Sequence, residues 1–428
     1  MARPAPRAGR KPGKQAGEPG TALRQVENPD ETIAIPAPAA CGCGTPLLEA
    51  PVTGVRRRQV FDLPPRPAMV VTEYAADLKD CPGCGKTAAG AFPDTVRAPA
   101  QYGPGVATAV ADVVLGHHVP VHRSTILDME LLGVQVSTGY AASIRDRAAH
   151  AITGGGFLDA VRTLLAAAPV VHADETFARA GGTTTFVHVA CTRFLSLFHT
   201  GDRTSATIDA GQVLDQLTDT QVLVRDGYAG YTHLQNVVHA WCCAHLLRDL
   251  RGIHHNAPNT PGAPGSQVWA QAMADTLLHA HHLADKARAD GRDDLTGDEL
   301  STITNRYNGA PALARTENPA TNTSILAGHA RTLARRFTTH RDIILRFATD
   351  LRVPFTNNEA ERTVRVVKVQ QRSSGRTWRT LQGLADFAVV QSYLSTAGKW
   401  GLTRWQALHQ LFTTGPWIPP AITPTATA

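Results

Sequence analysis

Two aspartates each end an apolar, strand-like run, and together they could bind metal ions. Asp174 ends the run that begins at Pro169, and Asp226 ends the run that begins at Gln221. If the two strands are neighbours in an α/β sheet, both carboxylates lie at one edge of it, where such sheets bind ligands. Oxygen ligands there could hold two Mg²⁺ ions about 3.5–4 Å apart beside a phosphodiester. A single aspartate at a strand end is often only a turn or helix cap, so the pair carries the indication.

A third carboxylate is needed, and the segment 356–362 contains two candidates. Thr356 and Glu359 have the spacing of a capping box, which predicts a structural role for Glu359. Glu361 lies about 200° around the helix from Glu359. It shares its face with three basic residues, namely Arg365, Lys368 and Arg372. A carboxylate at the head of a basic stripe suits a site crossed by a DNA backbone. Taken alone, however, an ordinary Glu–Arg pair on a solvated face explains the spacing better.

Four of the seven cysteines form two close pairs beside turn-forming glycines. These ribbon cysteines are Cys41, Cys43, Cys81 and Cys84. They bracket two strand-like stretches, 52–61 and 68–78, which together predict a zinc ribbon. A core of about 45 residues is too small to fold unaided, and structural zinc contributes roughly 10–16 kcal/mol to small fingers. The first pair is spaced more tightly than the usual two-residue gap, so a ribbon without metal, or free thiols, is the alternative.

A helix-turn-helix outline follows the cysteine pairs. Residues 124–132 have a helical apolar pattern, Gly133 supplies a turn, and Ser137 is a suitable N-cap for a second helix. We expect that helix to present Arg145 and Arg147 outward, toward DNA. Paired helices of this kind occur in any helical bundle. The DNA-binding interpretation therefore depends on the neighbouring segments.

Five motifs, in this order, resemble those of insertion-sequence transposases in the family named for insertion sequence 66. They are the ribbon cysteines, 172–176 (His-Ala-Asp-Glu-Thr), 226–228 (Asp-Gly-Tyr), 242–250 (Cys-Cys-Ala-His-Leu-Leu-Arg-Asp-Leu) and 357–362 (Asn-Asn-Glu-Ala-Glu-Arg). The resemblance covers nearly the whole chain from about residue 11. It implies that Asp174, Asp226 and Glu361 are a DDE triad on an RNase H-like fold. Cys242 and His245 match a Cys-x-x-His element, and we expect them to shape a helix, because two ligands in one turn do not make a metal site.

The formal net charge of +6 is concentrated at the N-terminus. Residues 1–24 contain six basic residues and one acidic residue, which leaves +5. A tail so poor in apolar residues could bind phosphate backbones, or it could simply aid solubility. No apolar run approaches the roughly 18 residues that span a membrane, and no secretory signal is visible. We therefore expect a cytoplasmic, nucleoid-associated protein.

The expected architecture is an α/β RNase H-like catalytic core with a helical insertion, preceded by a zinc ribbon and a helix-turn-helix region. The expected segments are a basic tail and linker (1–40), the zinc ribbon (41–88), the helical DNA-binding region (95–166), the first part of the core (169–250), the helical insertion (251–352), the last part of the core with the third carboxylate (353–398) and a C-terminal segment (399–428).

The resemblance implies a transposase that cleaves and transfers DNA strands at the ends of its element. Two Mg²⁺ or Mn²⁺ ions would act in the catalytic site, and Zn²⁺ would fold the ribbon. The expected partners are the element ends, target DNA, further copies of the chain on DNA, and possible accessory proteins of the same element. The alternatives are a transposase remnant that binds DNA without catalysis, and an RNase H-like nuclease.

Overall fold

The fold is built around a mixed five-stranded sheet, as seen in a computed structural model that describes residues 23–62, 69–257, 267–373, 375 and 377–421. Three consecutive antiparallel strands are β3 (Val170–Ala180), β4 (Thr183–Cys191) and β5 (Ser196–Gly201). On the other side of β3, two parallel strands follow, β6 (Val222–Arg225) and β7 (Val238–Trp241). The order across the sheet is β5-β4-β3-β6-β7. The alternating strand and helix pattern of the sequence therefore predicted the α/β class correctly.

Both faces of the sheet are buried, which explains why the first three residues of β6, Val222–Val224, are apolar. Leu223 packs into one hydrophobic core together with Val171 and Ala173. Val222 and Val224 point the opposite way and pack into a second core. Alternate residues of a strand face opposite sides, so most positions of a strand covered on both sides are apolar. The exception, Arg225 at the end of β6, is buried and donates a hydrogen bond to His239.

Helices cover both faces. Before the sheet lie α1 (Pro104–Ala111), α2 (Val121–Leu132), α3 (Thr138–Gly154) and α4 (Phe157–Ala166). Between strands lies the short α5 (Ser205–Asp209). After the sheet come α6 (Cys243–Asn256), α7 (Val268–Ala289), α8 (Gly297–Glu317), α9 (Ile325–Thr339), α10 (Arg341–Ile344), α11 (Arg346–Thr349), α12 (Asn358–Ser373), α13 (Leu381–Lys399) and α14 (Arg404–Thr413). None of the helices in the described ranges is long and apolar enough to cross a membrane.

The local signals of the helix-turn-helix outline are confirmed. Gly133 ends α2 in the left-handed conformation, with a φ of 67°. Ser137 caps α3, since its side chain accepts a hydrogen bond from the Tyr140 amide at 3.1 Å. The prediction that Arg145 points outward is wrong, because this side chain is half-buried beside Gly383 and Asp386 of α13. Arg147 is exposed, as expected.

The strand predictions of the ribbon region are mostly wrong. The chain divides into two units, Met1–Pro67 and Ala68–Ala428. In the first unit, residues 52–61 form no regular strand. In the second, only Leu78 of the stretch 68–78 lies in a strand, the first residue of β1 (Leu78–Asp80), and residue 68 lies outside the described residues. β1 pairs with β2 (Thr87–Ala89) in a short antiparallel hairpin.

The edge of the large sheet at β5 is closed by side chains of α13. The Ser196 amide donates to the Thr396 hydroxyl at 3.0 Å, and the Phe198 amide donates to the Ser392 hydroxyl at 2.8 Å. These hydroxyls satisfy donors that would otherwise offer a template for another strand.

Candidate active site

Asp174 and Asp226 lie at the same level on neighbouring strands. β3 and β6 are parallel, with His172 opposite Val224, and continuing this register by two residues aligns Asp174 with Asp226. Neighbouring strands are roughly 4.8 Å apart. Both side chains also fall on the same face, since two residues along a strand return to one side. The structure thus brings together the two aspartates, as the apolar runs predicted.

Glu361 approaches this face from α12. The helix packs on β3 and β4 through Ala360, Val364 and Val367. The start of α12 is held against β3 by Asn357. The side-chain amide nitrogen of this residue donates to the Ala173 carbonyl at 2.8 Å. The amide oxygen of Asn357 lies 2.9 Å from Nδ1 of the buried His172.

Asn357 was missed by the sequence reasoning, although it lies inside a recognised motif. A buried asparagine that bonds to two consecutive residues of β3 fixes the helix start. It thereby fixes where Glu361 lies, four residues later. The only available signal was its position directly before the helix.

The three carboxylates influence one another electrostatically. The pKa of Asp174 is raised to about 7, chiefly by burial, and further by the negative charges of Glu175, Asp226 and Glu361. One oxygen of Asp174 accepts from the Glu175 amide, and one oxygen of Asp226 accepts from the Tyr228 amide, each at 2.9 Å. Buried like charges are costly unless a cation compensates them.

The side chains of Asp174, Asp226 and Glu361 supply oxygen ligands only. Carboxylate oxygens are the ligands that hard divalent cations such as Mg²⁺ and Mn²⁺ prefer. The donor set therefore fits such cations.

Glu361 has two neighbours that the sequence did not assign to it. The Cys242 thiol donates to its Oε1 at 3.5 Å, and Nδ1 of His245 lies 3.6 Å from the same oxygen. Cys242 directly precedes α6, and His245 lies in the first turn of that helix. The Cys-x-x-His pair therefore contacts the third carboxylate and does not merely shape a helix.

The predicted capping box at Glu359 is wrong. α12 begins at Asn358, so Thr356 is not the residue that precedes the helix. Instead Glu359 forms an ion pair with Lys399 of α13, with an N–O distance of 2.8 Å. Glu359 still has a structural role, but the partner is different.

The side chain of Glu175 lies on the face of the sheet opposite that of Asp174. Its side chain is only 4 % exposed and pairs with Arg203. Tyr231 donates a hydrogen bond to its second oxygen at 2.8 Å, and burial raises the pKa of this tyrosine. The Arg203 guanidinium lies 3.7 Å from the ring centre of Tyr228. This network holds the segment after Asp226 against β3.

Of the three basic residues on the Glu361 face of α12, only two are exposed to solvent. Arg365 and Arg372 are exposed. Lys368 is half-buried and donates to the Phe177 carbonyl at 2.8 Å, and burial lowers its pKa. Lys368 thus has a partner in β3, which the sequence pattern did not indicate.

The ribbon cysteines lie in two turns of similar design. The Cys41 carbonyl accepts from the Gly44 amide, and the Cys81 carbonyl accepts from the Gly85 amide, both at 2.8 Å. Both glycines have positive φ, 91° and 70°. The shorter first turn matches its Cys-x-Cys spacing.

One thiol in each turn has its pKa shifted toward the form that binds metal. A hydrogen bond from Thr45 lowers the pKa of Cys43 to about 7, and backbone amides of Gly83 and Cys84 lower the pKa of Cys81. The thiolate is the metal-binding form of cysteine. Zinc binding itself stays a prediction.

Comparison with known proteins gave one finding. The model of the family described as "Transposase IS66 family" matches residues 99–385, which is more than half of the chain and includes Asp174, Asp226 and Glu361. A search among curated proteins found no match.

Proposed function

The chain belongs to the IS66 family of transposases, and on that premise we propose that it cleaves the DNA ends of its insertion sequence and transfers them to a target. Asp174, Asp226 and Glu361 would hold two Mg²⁺ or Mn²⁺ ions. Bound ions of this kind activate the attacking oxygen and stabilise the leaving oxygen of a phosphodiester.

One observation carries the proposal. Three carboxylates from β3, the end of β6 and α12 share one half-buried region, and their mutual repulsion helps to raise the pKa of Asp174 to about 7. Such an arrangement is unfavourable for the protein alone and becomes favourable when cations are bound. Perturbed carboxylates in a cluster of this kind are typical of functional sites.

The remaining residues of the site would keep the carboxylates in place. Backbone amides hold one oxygen each of Asp174 and Asp226, which fixes the direction of the other. The contacts of Asn357 with β3 set the position of Glu361. Ligands that are oriented by fixed partners need no reorganisation when the ions bind.

The finer architecture is part of the same proposal. The mixed sheet, with carboxylates on its central strand and on the parallel neighbour, supports an RNase H-like core. α7 to α11 would form most of the helical insertion, although α6 runs across the expected boundary at residue 251. α2 and α3 would contact DNA through Arg147 rather than the half-buried Arg145. The ribbon cysteines would bind one Zn²⁺, and copies of the chain would assemble on DNA.

The test compares two glutamates of the same helix. The substrate is a DNA duplex that carries the inverted repeats flanking the reading frame. Glu361→Gln should lose Mg²⁺-dependent cleavage by at least about a hundredfold while still binding the duplex, because a neutral amide is a poor ligand for a hard cation. Glu359→Gln is the matched control and should keep cleavage, since its partner is Lys399.

Two outcomes would contradict the proposal. If Glu361→Gln cleaves normally and Glu359→Gln does not, the third carboxylate has been assigned to the wrong residue. If the unaltered protein binds the repeats but never cleaves them with Mg²⁺ or Mn²⁺, the chain is a DNA-binding remnant.

A further inference from the structure

A second type of metal donor lies beside the carboxylate triad. Cys242 Sγ, a ring nitrogen of His245 and a carboxylate oxygen of Glu361 all lie within 4.8 Å of one another. In the described part of the chain they form the one such group of three or more cysteine, histidine and acidic side chains. The residues come from the start of α6 and from α12, which are 119 residues apart between Cys242 and Glu361.

The two separations measured from Glu361 match those of a tetrahedral zinc site. Zinc binds sulfur at about 2.3 Å, imidazole nitrogen at about 2.0–2.1 Å and carboxylate oxygen at about 2.0–2.2 Å. Ideal tetrahedral angles then place sulfur and oxygen about 3.6 Å apart, and nitrogen and oxygen about 3.4 Å apart. The observed separations from Glu361 Oε1 are 3.5 Å to Cys242 Sγ and 3.6 Å to His245 Nδ1. Only small movements would therefore be needed to bind an ion.

Two further observations, one on Cys242 and one on His245, point to a ligand between these side chains. Burial raises the pKa of the Cys242 thiol, and the backbone amide of Asn357, which donates to Cys242 Sγ at 3.2 Å, acts against that shift by stabilising the thiolate. Nδ1 of His245 is a buried nitrogen with no hydrogen-bond partner in the described chain. A buried nitrogen without a partner is unfavourable, and binding an ion would remove that cost.

The donor types select the class of ion. A thiolate and an imidazole favour Zn²⁺ and similar transition metals, whereas Mg²⁺ prefers oxygen ligands alone. Three protein ligands leave the fourth tetrahedral position open. The site thus differs in chemistry from the two-ion site, although both would use Glu361.

We propose that Cys242, His245 and Glu361 form a zinc site adjacent to the magnesium site. Binding replaces the thiol proton, so the hydrogen bond from Cys242 to Glu361 is exchanged for bonds from both residues to the metal, and about one proton is released per ion. The proposal shares Glu361 with the proposed function, but zinc binding requires no cleavage activity. The two can therefore fail separately.

The test uses Co²⁺ as a spectroscopic substitute for Zn²⁺ on the full chain after removal of metal by a chelator. Co²⁺ bound to a thiolate has a charge-transfer band in the near ultraviolet, and its amplitude counts bound thiolates. We expect the unaltered protein to bind one more Co²⁺ per chain than Cys242→Ala, and to lose that ion to Zn²⁺ but not to excess Mg²⁺. Any ion held by the ribbon cysteines is common to both proteins and cancels in the difference.

Control variants separate ligation from folding. Cys243→Ala is the matched control, because this neighbouring sulfur points to the carbonyls of Trp241 and Ile344 and should leave the stoichiometry unchanged. His245→Ala, whose side chain is 38 % exposed, should fold and bind the extra ion at least about tenfold more weakly. Equal Co²⁺ stoichiometry and equal band amplitude in the unaltered protein, Cys242→Ala and His245→Ala would overturn the proposal.

Discussion

Two exposed arginines on α12 should bind the DNA backbone next to the active site. Arg365 and Arg372 lie four and eleven residues after Glu361, on its face of the helix. At 1.5 Å per residue they are about 10 Å apart along the axis, far enough to contact different phosphates. Neither forms an ion pair in the described part of the chain. Lys368, between them, already has the Phe177 carbonyl as a partner and is the less suitable residue to test.

The expected effect follows from counterion release. Each phosphate contact contributes about 0.9 to the slope of log affinity against log salt concentration on duplex DNA. Arg365→Ala combined with Arg372→Ala should therefore flatten the slope by about 1.8. Between 50 and 200 mM salt, the unaltered protein should lose about tenfold more affinity than the double variant. Phosphate contacts do not read bases, so specific and random duplexes should weaken by a similar factor.

The assay is fluorescence anisotropy with both duplexes at several salt concentrations. The charge-conserving control, Arg365→Lys with Arg372→Lys, should keep the slope even if affinity falls slightly, because lysine neutralises phosphate as a point charge. An unchanged slope in the alanine variant would show that the stripe is a solvated face. Glu361 would then lose one argument for its position beside DNA.

Three other predictions concern stability and metal content. Asp128 of α2 is buried, and burial raises its pKa to about 6 from 3.8. The stability gained by binding this proton is therefore fully present below pH 3.8 and is lost as the pH rises through 6. Asp128→Asn should increase the unfolding free energy at pH 8 by at most about 3 kcal/mol, seen as a higher melting temperature, and should give no gain near pH 4. Glu175→Gln should lower the unfolding free energy by about 1–3 kcal/mol in urea titrations, since Arg203 loses its charged partner; an unchanged midpoint would refute the role of this pair. Freshly purified protein should contain about one more zinc ion per chain than a variant whose ribbon cysteines are changed to serine. Equal zinc in both proteins would exclude the ribbon as a zinc site.

Local features of the chain were predictable because they depend on residues close in sequence. The apolar runs before Asp174 and Asp226 indicated buried strands, and the side-chain period of a strand placed both carboxylates on one face. Gly133 and Ser137 indicated the end of one helix and the start of the next, because a left-handed turn and a cap are short-range requirements. Of the strands expected at 52–61 and 68–78, the described residues form only the first residue of β1, Leu78, because a strand also requires a partner strand and a local pattern cannot supply one.

Partners distant in sequence were decided only by the tertiary structure. Glu359 and Glu361 are two residues apart, yet packing of α12 directs one to Lys399 and the other to Cys242 and His245. Arg145 and Arg147 are both arginines of α3, two residues apart, but only Arg145 is covered by α13. The faces of a helix are buried or exposed according to what packs on them. The sequence by itself thus indicated the three carboxylates as candidates for the chemistry, but not that Cys242 and His245 contact one of them. Which of them meet depends on how helices α6, α12 and α13 dock on the sheet, and no local pattern encodes that.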